Sequence, residues 1–320
     1  MKYLRFVLAR FGLGLAAWGL FGFAVAAVEL PPMVPQQVSP SAWFVQGAAG
    51  LGSPGNQNFI SNAGFVVTKT SVVVIDALGS PAAAERLVAV IKKITPLPIS
   101  HVLVSHYHAD HIYGLQVFKD LGAKIMAGRE SINYLNSETA RLRLKVSRIE
   151  MAPWIDDNTR LVPPDQLLNG PSEMEIGGLL LQLRPVGPAH TPEDYTVYLP
   201  QEKVLFAGDL VFRSRIPFVG DADSRHWVTA LDELLTFGAK VVVPGHGPVS
   251  EEPVKDMKMT RDYLLYLRDA MGRATELMDP FEMAYKNTDW TPFEHLPLFK
   301  AANRMNAYNT YLLLEHEAIK

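Results

Sequence analysis

The sequence predicts an α/β layered sandwich followed by a C-terminal helical extension. Three observations carry that prediction. Short β-branched runs come first as a hairpin and then alternate with helical segments. Residues with metal-ligand chemistry gather directly after those runs. After Glu251 the runs stop and two long helical segments take over.

The elements follow in order. Residues 65–67 and 72–75 read as strands, joined across 68–71 by a hairpin-like turn. Pro81 opens a helix with Leu87, Val88 and Ile91 on one face. The β-branched run 99–104 reads as a buried strand. Residues 110–121 read as one helix that stops at Gly122, before a strand at 124–126. Segment 127–169 yields no readable conformation. Strands are expected at 179–183, 195–199 and 204–207. Asp223 or Ser224 caps a helix through Leu235, and 240–243 is one more buried strand. The extension carries helices at 256–270 and 300–315. The second has Met305, Tyr308, Tyr311 and Leu312 at helical spacing, read as a face packed on the sandwich, with a lid or a dimer contact as alternatives.

Composition sets the bounds. The chain has 320 residues, 48% hydrophobic and 20% charged, enough apolar material for a large core. A formal net charge of −3 gives no reason to expect a polyanion, so nucleic acid is set aside as a partner. There is no cysteine, hence no disulfide and no thiolate ligand. The start differs from the rest. Lys2, Arg5 and Arg10 precede an apolar stretch over 11–23 and then Ala24-Val25-Ala26, the order of a secretory signal. The apolar run is shorter than the roughly 20 residues of a spanning helix. Residues 1–26 are therefore expected to be cleaved as a signal peptide. That leaves a sandwich domain over 27–252 and the extension over 253–320, in a periplasmic or secreted protein with no stable membrane anchor.

The strongest motif is Ser105-His106-Tyr107-His108-Ala109-Asp110-His111, directly after a buried strand. His106 and His108 are two apart, so in extended chain they point the same way and can grip one ion. Asp110 and His111 are adjacent at a helix start, where side chains diverge by about 100°; they suit a second ion beside the first. Imidazole and carboxylate are the ligands zinc takes when sulfur is absent. Three further post-strand loops each offer one ligand beside Gly or Pro: His190 within 187–192, Asp209 within 206–210 and His246 within 243–247. Together they complete a two-metal set.

In order and loop context, His106, His108, Asp110, His111, His190, Asp209 and His246 resemble the ligand set of the metallo-β-lactamase fold superfamily. The resemblance covers residues 40 to 250. It implies an αββα sandwich with the site at one edge. It also implies that His106, His108 and His190 hold one metal, that Asp110, His111 and His246 hold a second, and that Asp209 bridges both. Asp76 matches the superfamily's early structural aspartate and is expected to buttress the metal loops. Zinc β-lactamases have Cys or Ser where Asp209 stands; an aspartate there resembles glyoxalase-II-type thioesterases and lactonases. The oxygen-reducing diiron branch has Glu where this chain has His108. An exported chain with this set and a helical tail is also similar to periplasmic hydrolases of the sulfur-oxidation (SoxH-like) and quinoprotein-relay groups.

The resulting expectation is a dinuclear zinc hydrolase. It would cleave a small-molecule thioester, ester, lactone or amide bond by a metal-bridging hydroxide, with Asp110 as the catalytic residue that orients the nucleophile and handles a proton. The alternatives are β-lactamase activity and a mononuclear iron sulfur dioxygenase, with iron in place of zinc. Tyr107, Tyr113, Phe212, Phe218 and Trp227 are the aromatic residues near these loops, read as pocket lining or as core.

Overall fold

The structure, a computed structural model, describes residues 30–319. The expected signal segment lies outside the described residues. A seven-stranded sheet contains β1 (Pro35–Gln37), β2 (Ala42–Val45), β3 (Ala63–Val67), β4 (Val72–Ile75), β5 (Ile99–Leu103), β6 (Lys124–Gly128) and β7 (Gln166–Leu168), side by side in chain order. A five-stranded sheet contains β8 (Ser172–Ile176), β9 (Leu179–Pro185), β10 (Tyr195–Leu199), β11 (Val204–Phe212) and β12 (Val241–His246). The helices are α1 (Pro81–Ile94), α2 (Ala109–Ile112), α3 (Leu115–Asp120), α4 (Ser131–Asn136), α5 (Glu138–Glu150), α6 (Ser224–Leu235), α7 (Pro253–Glu276), α8 (Phe281–Asn287) and α9 (Phe299–Ile319). Among the described residues no helix is long and apolar enough to cross a membrane.

The layers follow from side-chain alternation. Successive residues of a strand point to opposite faces. In β4, Val72 and Val74 join a core with Leu87 and Ile91 of α1 and Phe118 of α3. Val73 and Ile75 join a second core with Leu181, Val197 and Phe206 of the other sheet. Both faces are covered, which is why the run reads as uninterrupted Val and Ile. The second sheet's outer face, with Tyr198, Leu205 and Val242, packs on Trp227 and Leu231 of α6 and on Tyr263 and Leu264 of α7. The order helix, sheet, sheet, helix is the αββα sandwich that the resemblance implies. The turn between β3 and β4 is held by Thr68, whose hydroxyl accepts from the Thr70 and Ser71 amides.

Three readings are corrected. The expected single helix at 110–121 is two short helices broken at Gly114. A Cβ on Gly114 would lie 1.9 Å from the Ala77 carbonyl oxygen and 2.6 Å from Ala84 Cβ. The chain there lies against the segment after β4, and the Gly114 amide donates to Leu78 O. Segment 127–169 holds α4, α5 and β7. In α9 the expected apolar face is mostly outward: Met305, Tyr308 and Leu312 are exposed, and of the four only Tyr311 is buried. The packed face is Ala302, Asn303, Asn306, Ala307 and Thr310.

Gly114→Ala has no room for its methyl group and should destabilise the fold by about 1–3 kcal/mol. A lower urea midpoint at unchanged slope would show it; an unchanged midpoint would mean that the close approach to Ala77 relaxes freely.

Candidate metal centre

Strands β4 and β5 are parallel neighbours, so their carboxyl ends meet at one edge. Asp76 follows β4 directly, with φ of 62°, and its amide donates to Leu103 O. Its carboxylate accepts the Ser105 amide and the Ser105 hydroxyl, both at 2.7 Å, and His111 Nδ1 at 2.9 Å. This fixes proton positions by elimination. The Ser105 hydroxyl has one proton and gives it to Asp76, so it accepts from His106 Nδ1 at 3.0 Å. Both His106 and His111 therefore donate outward through Nδ1 and turn Nε2 inward. His246 Nδ1 donates to Ile60 O at 2.8 Å, which turns its Nε2 inward as well.

The seven residues singled out from the sequence converge. His108 Nδ1 lies 3.1 Å from His106 Nε2 and 3.0 Å from His190 Nε2. These spacings are close to the roughly 3.3 Å edge of a tetrahedron with metal–nitrogen bonds of ~2.0–2.1 Å. Beside this trio, Asp110 Oδ2 is 3.7 Å from His111 Nε2 and 3.2 Å from His246 Nε2. Asp209 lies between the two groups. Its Oδ1 is 3.2 Å from His111 Nε2, and its Oδ2 is 3.3 Å from His246 Nε2 and 3.4 Å from His190 Nε2. Donor atoms of His106, His108, His190 and Asp209 form one cluster, and those of Asp110, His111 and His246 form another, each within 4.8 Å.

The electrostatics call for cations. His111 Nε2 and Asp209 Oδ1 are buried without a hydrogen-bond partner, and imidazole nitrogens face carboxylate oxygens. Burial lowers the His106, His108 and His190 imidazoles, His190 to about 3, so these three stay neutral and ready to ligate. Burial alone would raise the Asp110 and Asp209 carboxyls, but the His111 and His246 imidazoles overcome it and hold both low. Conversely burial disfavours charge on His111 and His246, while Asp209 and Asp110 raise both. The two carboxylates thus demand positive charge at this spot, and divalent ions among seven N and O donors meet that demand. The donor set fits two metal ions.

Two glycines make room for Asp209 between the clusters. Asp209 was expected in a loop after β11; it lies within the strand, at a break in register with β12. Gly208 has φ of 54°, and a Cβ there would lie 2.8 Å from Ser105 Cβ. A Cβ on Gly245 would lie 1.9 Å from Asp209 Oδ1. His246, also expected in a loop, is the last residue of β12. Its position is held by Asn62, which donates to Pro244 O and Gly247 O.

The His190 loop is tied to the first motif. Glu193 accepts the Tyr107 amide at 3.0 Å, and Asp194 accepts the Thr191 amide and hydroxyl, both at 2.7 Å. Phe212 and Trp227 are fully buried and pack on the His190 ring at 5.9 and 5.1 Å, and Phe212 stacks on His246 at 5.2 Å. Tyr113 is core. Tyr107 is buried, with its hydroxyl on Val162 O. Phe218 lines a cavity of about 410 Å³ that opens on His108, Asp110, Asp209 and His246. A second cavity of about 600 Å³ reaches His108, Asp110 and His190 from the side of α4. An open depression of about 760 Å³ near Glu252 and Phe293 contains none of the cluster. The reading by sequence missed Ser105 as a proton-fixing residue, Asn62, and Arg215 in the cavity wall. Only Ser105 carried a signal, through its place in the motif.

Asp76→Asn keeps the shape but turns one of the two accepting oxygens into a donor, which then faces either the Ser105 amide or the Ser105 hydroxyl and His111 Nδ1. It should lower metal affinity by about 10–100-fold. Competition with a chromogenic chelator measures this; wild-type affinity would refute the orienting role.

Comparison with known proteins agrees with this geometry. The metallo-β-lactamase superfamily model matches residues 57–246. A linear primary-alkylsulfatase of Pseudomonas sp. is 24% identical over 284 residues, 78% of this chain and 52% of that protein. The chain therefore spans about half the length of that relative. A metallo-β-lactamase type 2 of Bacillus cereus is 26% identical over 196 residues, 60% of this chain and 68% of the relative. Among solved structures, the metallo-β-lactamase from Pontibacter korlensis superposes with a TM-score of 0.57 at 24% identity, over 73% of this chain and 99% of that one. A stereoselective inverting sec-alkylsulfatase from Pseudomonas sp. gives 0.67 at 18% identity, over 88% and 50%. These likenesses show the fold, and the family model spans the whole donor set from His106 to His246. The chain belongs to the metallo-β-lactamase superfamily.

Proposed function

We propose that the protein is a dinuclear zinc hydrolase acting on a small-molecule ester, thioester, lactone or amide. The observation that carries this reading is the Asp209 carboxylate lying between the two donor clusters, within 3.4 Å of His111, His190 and His246. His106, His108 and His190 would hold one ion, Asp110, His111 and His246 the other, and Asp209 both. When bound, two such ions supply a water of lowered pKa and an electrophile for the scissile group. Asp110 faces the cavity through a partly exposed carboxylate and touches His246. It is the residue placed to orient the attacking water and to carry its proton toward the leaving group. No side-chain nucleophile is required, and the chain has no cysteine.

A second reading is sulfate-ester hydrolysis. The alkylsulfatase fold covers 88% of this chain against 73% for the Pontibacter β-lactamase, so its likeness extends into the C-terminal helices. Purified protein assayed against thioesters, lactones, β-lactams and alkyl sulfates, with metal content measured alongside, separates these readings. One iron per chain with oxygen consumption would overturn both in favour of a dioxygenase. Export is proposed from Lys2, Arg5 and Arg10 ahead of the apolar stretch; a mature periplasmic form that keeps Met1 would overturn it.

The two aspartates should fail differently. Asp209→Ala removes the charge set between two dications and should lower metal occupancy together with activity. His246→Ala should empty mainly one site, because His106, His108 and His190 remain. Asp110→Asn keeps a ligand oxygen but loses charge and base; it should retain most metal yet lose about 10²–10⁴ in kcat. Metal stoichiometry and kcat on any substrate the screen finds decide the matter. Near wild-type turnover of Asp110→Asn with both ions bound would end the catalytic assignment.

A further inference from the structure

Arg215 is 3% exposed and lines the 410 Å³ cavity together with Asp110, Asp209, His246, Ile60 and Phe218. Its guanidinium carbon sits 5.7 Å from the Phe212 ring centre and 5.3 Å from that of Phe218. Among the described residues no carboxylate oxygen lies within ion-pairing distance of it, and its Nε has no hydrogen-bond partner. Its Nη1 is 3.2 Å from His246 Nδ1. That nitrogen already gives its proton to Ile60 O, so two donors face each other and no bond forms. Arg213, two residues earlier, is different: it pairs with Asp256 at 2.8 Å and donates to Val249 O. Arg213 fastens the fold, whereas Arg215 is a buried cation with unused donors beside the metal-site carboxylates. Stacking on two rings accounts for its place but not for the donors left unmet.

The backbone that carries Arg215 and Phe218 is held from the C-terminal extension. Ile216 N donates to Pro297 O at 3.0 Å. Asn306 of α9 donates to Pro217 O at 2.7 Å and accepts from Val219 N at 2.9 Å, and Asn309 donates to Gly220 O at 2.9 Å. The same cavity is lined by Arg143 and Glu150 of α5, a cation and an anion, and by Met151 and Leu51, which are apolar.

We propose that Arg215 and Phe218 form the receptor for an anionic group on an amphiphilic substrate, a carboxylate or a sulfate with an apolar body, and that α9 holds this receptor in place through Asn306 and Asn309. The proposal rests on the hydrolase reading above and names the substrate class of that site. A planar guanidinium offers paired donors to such oxyanions, and Phe218, Ile60 and Met151 supply the surface for the apolar part.

The test is binding, so that it does not depend on turnover. Hexane-1-sulfonate, hexanoate and neutral hexan-1-ol are titrated calorimetrically into the zinc-loaded full chain, with zinc content and ester hydrolysis measured in parallel. At least one anion should bind about tenfold or more tighter than hexan-1-ol. Arg215→Gln should weaken that anion by about 10–100-fold at unchanged zinc content, and Arg215→Lys should recover part of the loss. Asn309→Ala should weaken it by about two- to tenfold, again without loss of zinc. Which anion responds separates carboxylate from sulfate recognition. Equal binding of hexan-1-ol overturns the proposal. So does wild-type affinity in Arg215→Gln, which would place the anion on the metals instead. If Arg215→Gln does not fold, the wild-type comparison of anion with alcohol and the Arg215→Lys variant still decide. If the anion binds through Arg215 but no ester is hydrolysed, the hydrolase reading fails and the subsite stands.

Discussion

Asp209 is a buried carboxylate within 4.0 Å of four imidazoles, and the rest of the structure is arranged around that contact. Water is largely excluded from it, with Asp209 4% exposed and His106, His111 and His246 at 3% or less. In such surroundings charge is weakly screened, and a buried carboxylate is stable only with positive charge beside it. The fold brings the imidazole nitrogens and the carboxylate oxygens within a few ångströms, so that a divalent ion would gain from every contact at once. Removing any one donor leaves the others unbalanced.

Bringing these atoms together constrains the backbone before it constrains the side chains. The carboxyl ends of β4, β5 and β12 must reach one edge, which the parallel pairings β4–β5 and β11–β12 achieve. Gly208 and Gly245 then remove the two Cβ atoms that would block Asp209. Asp76 completes the arrangement by accepting three protons from two residues of the motif loop, Ser105 and His111, so that the tautomers of His106 and His111 are set by one carboxylate. Rings from α6 and β11, Trp227 and Phe212, fix the plane of His190. The core alternation of Val72 to Ile75 matters to chemistry for this reason: slipping β4 by one residue would carry Asp76 out of reach of Ser105.

What could be read from the sequence was local. The motif from His106 to His111 is contained in six residues, and its spacing reflects extended chain turning into helix. The β-branched runs reflect burial on both faces, so β4, β5 and β12 were readable. What escaped depended on partners far along the chain. The break at Gly114 is set by Ala77, and the continuation of β11 through Asp209 is set by its pairing with β12. Helix α5 gave no amphipathic signal because Leu142, Val146 and Ile149 face outward at 51%, 40% and 76% exposure. Arg215 could not have been found from its neighbours in sequence alone: Phe212 and Phe218 stand three residues to either side, but His246 beside it comes from another strand, and Asn306, about ninety residues on, holds the backbone it stands on.

The buried face of α9 carries this logic furthest. A helix recruited for stability alone would turn its apolar residues inward, yet Met305, Tyr308 and Leu312 are exposed while Asn303 and Asn306 are fully buried. Buried amides cost free energy unless their partners are supplied. Here they are supplied by Tyr263, by Tyr285 and by the carbonyl and amide groups of Pro217 and Val219. The segment from Arg215 to Gly220 has no strand or helix in which to satisfy its own backbone. Lying beside the cavity, it needs donors and acceptors from another element, and α9 provides them in the positions an apolar face would have occupied. Helix α9 is thus bound to the site by the hydrogen-bonding needs of the loop that walls it, and the polar character of its packed surface is the consequence.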